Sequence, residues 1–134
     1  MPVRIENPNL EYPLFLWESD SGKCAVEIFL QELERESKKV WRLVFDRLYI
    51  ASRDGPRAFT PEQLKPFRGE RYCGGYMMQE FRIKNVRILC FLIERRGKTG
   101  FLLAHAFKKT KNETDTRHKV KAEGLLNRFL QEPV

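Results

Sequence analysis

Between residues 76 and 107 three β-rich runs follow one another, at 76–83, 86–94 and 101–107, joined by connections that only reverse the chain. Lys84 and Asn85 make the first connection, and residues 95–100, with Gly97 and Gly100, make the second. Parallel neighbours need a crossover of a dozen or more residues, so these runs predict an antiparallel meander. Alternation then sorts the side chains: Glu80 and Arg82 share one face of the first run, and Phe81 and Ile83 take the other.

Ahead of the meander the apolar period changes. Residues 12–17 (YPLFLW) read as a first strand, with Pro13 near its start. Ser19, Asp20 and Ser21 offer caps for an amphipathic helix over residues 22–35, on which Ala25, Ile28, Phe29 and Leu33 recur at helical spacing. Ser37 offers a fresh cap, and Val40, Trp41, Val44, Leu48 and Ala51 form the stripe of a second helix ending near Ser52. The short joint between them predicts a helical hairpin, with Trp41 and Phe45 as core anchors. Asp54, Gly55 and Pro56 stop the second helix, and the stretch to Gly75, with Pro61, Pro66, Gly69 and Gly74, reads as a long loop. Residues 113–130 predict a terminal helix, capped by Asn112 or Thr114, with Val120, Leu125, Leu126 and Phe129 as its apolar face.

Helices and strands thus come in blocks, which predicts an α+β fold: an N-terminal strand, a helical hairpin packed on one face of a small antiparallel sheet, and a C-terminal helix. The other sheet face is expected to be partly polar and basic. At 134 residues and 42% apolar, a single domain over residues 1–134 with one core is expected. No apolar run reaches the roughly 20 residues of a spanning helix, and the opening MPVRIENPNL has no apolar signal core. A soluble, cytoplasmic protein without membrane partners is the expectation. Cys24, Cys73 and Cys90 are odd in number and lack metal-ligand spacing, so reduced, partly buried thiols and no metal site are expected.

The charge is divided unevenly. Residues 1–64 hold 9 Lys/Arg and 11 Asp/Glu, a net of −2, whereas residues 65–134 hold 16 and 7, a net of +9. Such a distribution favours a polyanionic partner, nucleic acid first, through counterion release. Zinc spacing, a phosphate-binding glycine loop and a G-x-S-x-G elbow are all missing, and there are only two histidines, which disfavours common metalloenzyme and triad chemistry. The dense constellation that remains is basic: Lys65, Arg68, Arg82, Arg87, His105, Lys108, Lys109 and Lys111. Metal-free RNA cleavage needs a group to take the 2′-hydroxyl proton, cations to offset phosphorane charge, and a donor for the leaving oxygen. Lysine, arginine and histidine supply all three. The plainer alternatives are that Arg82 pairs with Glu80 or another carboxylate, that His105 is a hydrogen-bonded core residue, and that the lysines form a solvated strand end. His118, in a charged helix, carries no signal of its own.

Four fragments, Leu64-Lys65-Pro66-Phe67, Glu80-Phe81-Arg82, Arg87-Ile88-Leu89 and the run from Leu102 to Thr110 (LLAHAFKKT), taken in order, resemble the RelE/ParE superfamily of bacterial toxins, and specifically its HigB-like, phage-derived branch. The resemblance spans most of the chain. It departs from the usual pattern at Phe81, at Gln79, and at residues 112–114 before the last helix. It implies a RelE-like fold, metal-independent and cofactor-free cleavage of mRNA on the ribosome, and neutralisation by a cognate antitoxin, a small helix-turn-helix protein. Carried over residue by residue, it implies that Arg82 and Arg87 hold the scissile phosphate and that His105 or Lys108 moves protons. Lys109 is carried over as well, and with Lys111 of the basic constellation it is expected to follow the RNA backbone; Lys65, which matches the family's loop lysine, and Arg68 beside it are expected to add substrate contacts from the loop. The alternatives are a ParE-like toxin that inhibits gyrase and a catalytically silent, phage-derived binding module.

Overall fold

The computed structural model describes residues 3–110 and 116–133. In chain order these form β1 (Val3–Glu6), β2 (Leu14–Trp17), α1 (Ala25–Glu36), α2 (Lys38–Asp54), β3 (Leu64–Pro66), β4 (Met78–Ile83), β5 (Val86–Arg95), β6 (Lys98–Lys108) and α3 (Thr116–Gln131). The α+β arrangement of strands, two helices, sheet and final helix is as expected. The meander is also present, with β4, β5 and β6 antiparallel neighbours. Its second turn is tighter than expected. Only Arg96 and Gly97 separate β5 from β6, and both have positive φ, at 53° and 78°, the geometry that suits a two-residue reversal.

The sheet is larger than expected and mixed. Six strands lie in the order β1-β2-β6-β5-β4-β3, and β2 runs parallel to β6 through the pairs Leu14↔Phe101 and Phe15↔Leu102. The expectation of a purely antiparallel sheet is therefore corrected. A parallel pair is possible because the chain between these strands passes through α1 and α2, a connection long enough to bring it back in the same direction. Gly100 permits the approach: a Cβ there would lie 2.3 Å from the Pro13 carbonyl oxygen. That same oxygen accepts the Phe101 N–H at 2.9 Å.

Two strands lay outside the expectation. β1 pairs only with β2; it is four residues long and none of them is buried, so its alternation is too short to mark a strand. β3 lies inside the expected long loop and pairs with β4 through Leu64↔Phe81 and Lys65↔Glu80. Its Pro66 is tolerated because the strand is at the sheet edge.

Ser37 caps α2 as expected, its hydroxyl accepting the Val40 N–H at 3.3 Å. The start of α1 differs. Cys24, not Ser19, Asp20 or Ser21, sits at the N-cap and makes no side-chain capping bond. Ser19 instead closes a turn ahead of the helix, accepting the Lys23 N–H at its hydroxyl and the Gly22 N–H at its carbonyl. The proposed caps at Asn112 and Thr114 lie outside the described residues.

Both faces of the sheet are covered. On one, Phe81, Ile83, Val86, Ile88 and Leu103 meet Val26 and Leu33 of α1 and Val44, Leu48 and Ala51 of α2. On the other, Phe15, Met78, Leu89, Phe91 and Leu102 meet Ala122, Leu125, Leu126 and Phe129 of α3. The second face is thus mainly apolar, with its polar groups gathered at one end. Phe45 is not a core anchor: it is 48% exposed. It lies against half-buried Trp41 with ring centroids 5.5 Å apart.

Candidate nucleic-acid interface

Strand parity puts Glu80 and Arg82 on the α3 side of β4, and the register makes Arg82 and Arg87 direct cross-strand partners. Two like charges so placed repel unless a carboxylate joins them. Glu80, fully buried, does so. Its Oε1 accepts Arg82 Nε at 2.9 Å and lies 3.8 Å from Arg87 Nε. Arg87 is the anchored member of the pair. Its Nη1 donates to the carbonyls of Lys84 at 2.8 Å and Val86 at 2.9 Å, and its Nε has no hydrogen-bond partner among the described residues. Burial pulls the Arg87 guanidinium below its ordinary pKa, with Glu80 opposing the shift and Arg82 adding to it. The Arg82 side chain keeps 24% of its surface exposed, against 11% for Arg87. Arg82 is the one that can reach a ligand.

His105 reaches this face through a register slip. Leu89 pairs with His105 but Cys90 with Leu103, so Ala104 is the extra residue of a β-bulge. Past the bulge the alternation inverts, turning His105 and Phe107 toward α3 and Lys108 away from it. There the His118 ring stacks on Phe107, centroids 3.7 Å apart and planes 5° from parallel. Its Nδ1 lies 2.8 Å from His105 Nε2.

Burial first, then the His118 and Lys121 charges, push the His105 pKa down to about 4. His105 is therefore neutral at pH 7. Because the folded value lies below the ordinary value of 6.5, the folded state binds fewer protons between those limits. The resulting stability is full above pH 6.5 and lost as pH falls toward 4, amounting to as much as about 3 kcal/mol. Thermal melts across this range are expected to show a steep acid loss in the wild type and a shallower one in His105→Gln. Parallel curves would show that His105 titrates normally.

A third group borders the arginines. Lys65 pairs across the strands with Glu80, and its Nζ lies 5.4 Å from the Phe67 ring centroid. Lys119 of α3 lies 4.1 Å from the same ring and also bonds Glu70 at 3.2 Å, which in turn accepts the Tyr72 hydroxyl at 3.0 Å. Arg68 is exposed just beyond Phe67.

Of the expected site residues, Lys65, Arg82, Arg87 and His105 share the α3 side. Lys108 does not: it pairs with Val86 on the opposite face and forms an ion pair with Glu36 at the end of α1. Lys109, half-buried, holds the β4–β5 turn through its backbone N–H to the Asn85 carbonyl at 2.7 Å. Lys111 lies outside the described residues. Sequence reasoning missed three members of the cluster as site residues: Glu80, His118 and Lys119. Glu80 was detectable, since it shares parity with Arg82 two residues away. His118 and Lys119 gave no such signal, because their partners are on other elements. Among the described residues no group of His, Cys, Asp or Glu is arranged to hold a metal ion, and no helix is long and apolar enough to cross a membrane. No protein-family model, curated protein or solved structure matches the chain.

Proposed function

We propose that the chain is a RelE/HigB-like toxin of a toxin–antitoxin pair, cleaving mRNA on the ribosome without a metal at the sheet face beside the start of α3. The observation that carries this reading is the adjacency of Arg82 and Arg87 on one face, tied to buried Glu80. An exposed guanidinium whose direction is fixed by a buried, carboxylate-linked neighbour suits a phosphate that gains charge in the transition state. Arg82 touches the phosphate through its free edge; Arg87, held by the turn carbonyls, sets the position of that edge through Glu80. The proton moves through the His105 and His118 rings, which lie in hydrogen-bond contact. Lys108 faces the other way and takes no part in proton transfer; Lys65 and Arg68 contact the RNA backbone. A helix-turn-helix antitoxin is the partner this reading requires.

A second reading, a binding module without catalysis, is favoured by the internal pairing of Arg82 and the low pKa of His105. Base-specific cleavage of mRNA on programmed ribosomes separates the two. Both readings expect a polyanionic ligand, so affinity for single-stranded RNA is expected to fall steeply with salt, each neutralised phosphate adding about −0.7 to the log-log slope. A flat salt dependence would remove nucleic acid from the account.

A further inference from the structure

We propose that the hollow between the β1 edge and the β5–β6 turn receives an extended acidic segment of a partner protein, which sets one apolar side chain between carboxylates. The hollow has a volume of about 240 Å³. It lies on the α3 side of the sheet: the register puts Ile5 of β1 beside Phe15 of β2, and the Phe15 ring packs on Phe129 of α3. Val3, Ile5, Pro8 and Phe15 belong to its apolar wall, and Arg95, Arg96 and Lys98 form its basic side. From Arg87 to Arg95 the extended strand β5 covers about 26 Å. The hollow is therefore separate from the arginine pair, and this inference does not rest on the RNA reading.

Charge and shape select the occupant. Arg95 donates to the Pro133 carbonyl at 2.7 Å and Lys98 to the Pro8 carbonyl at 3.0 Å, both neutral acceptors. Arg96 forms no ion pair among the described residues. No carboxylate lines the hollow. Glu94 is on the other sheet face, paired with Thr99 where Arg95 is paired with Lys98. The three cations thus keep N–H donors for a ligand carboxylate. The volume falls below the roughly 300–1,000 Å³ of a small-molecule pocket, so it suits one side chain of a longer ligand. Phe15, the aromatic residue of the lining, is 2% exposed and offers no face for stacking a nucleobase. The outer edge of β1 carries no strand among the described residues, which leaves main-chain groups open to an added one. Alternate residues of that strand would face the hollow. Those between them would face Arg4, already joined to Glu6, Glu18 and Glu27, so acids are favoured on the hollow side alone.

The test is titration of the full chain with a labelled, capped peptide of about nine residues, carrying glutamate, leucine and glutamate at alternate positions with threonine between them. One control peptide replaces the leucine with threonine, and another replaces each glutamate with lysine. The net charge of +7 attracts any acidic peptide, so the threonine control separates the hollow from bulk charge. The leucine peptide is expected to bind tightest, at least about fivefold above the threonine control. Ile5→Glu, or Arg96→Gln combined with Lys98→Gln, is expected to weaken it about tenfold or more. Melting temperatures check that each variant is folded. Equal binding of the threonine control, tighter binding of the lysine peptide, no binding of any, or unchanged affinity in the folded variants would overturn the proposal. A loss of single-stranded oligouridine affinity in the double variant as large as that of the peptide would also overturn it, by making RNA the occupant. Peptide affinity is read without mRNA cleavage, so failure here is distinct from failure of the proposed activity.

Discussion

Glu80→Ala is expected to lower stability by about 3–5 kcal/mol and the melting temperature by on the order of 10–20 °C. Glu80 has no solvent exposure, and its carboxylate lies between two guanidiniums. Without it Arg82 can turn to water, but Arg87, 9% exposed and tied to the Lys84 and Val86 carbonyls, cannot. Alanine therefore leaves an uncompensated buried charge beside a new cavity. Glu80→Gln keeps the volume and one acceptor, so a smaller loss is expected. Thermal melts of both variants provide the measurement. A Glu80→Ala protein melting within a few degrees of the wild type would show that the carboxylate does not hold the pair.

The second large effect concerns activity. Arg82→Lys keeps a cation against Glu80 but loses the planar fork, so it separates phosphate recognition from folding. If the fork stabilises transition-state charge, single-turnover mRNA cleavage on programmed ribosomes is expected to fall by on the order of 100-fold or more, equivalent to about 3 kcal/mol. The melting temperature is expected to stay close to wild type. Arg82→Ala is a less clean probe, because it removes a counter-charge from a buried carboxylate and so lowers stability together with activity. Lys39→Ala, exposed on α2 on the opposite side of the sheet, is expected to cleave nearly as fast as the wild type. Undiminished cleavage by Arg82→Lys would remove bidentate phosphate recognition from the site. Parallel loss of melting temperature and cleavage would make Arg82 structural.

Much of the site's local geometry was legible in neighbouring residues. The parity of Glu80 and Arg82 against Phe81 and Ile83, the Ser37 cap and the short turns each depend on a few adjacent positions. The helical stripes and the +9 balance after residue 64 depend on longer windows of the same chain. All of these are local preferences, and they sufficed for the fold class and for placing Arg82 on the face opposite Phe81 and Ile83.

The tertiary structure decided what local preference leaves open. Edge strands β1 and β3 are three or four residues long and make sense only beside β2 and β4. The parallel contact of β2 with β6 joins residues more than eighty positions apart. Most consequential is the bulge at Ala104: a slip of one residue inverts every side chain beyond it, bringing His105 to α3 and sending Lys108 to Glu36. Nothing in the LLAHAFKKT run announces that slip, since it arises from the energy of pairing β6 with β5 while both sheet faces are packed. The sequence by itself determined which residues alternate, cap and turn, because those depend on neighbours in the chain; the structure decided which of them meet, because register is set by contacts between distant strands.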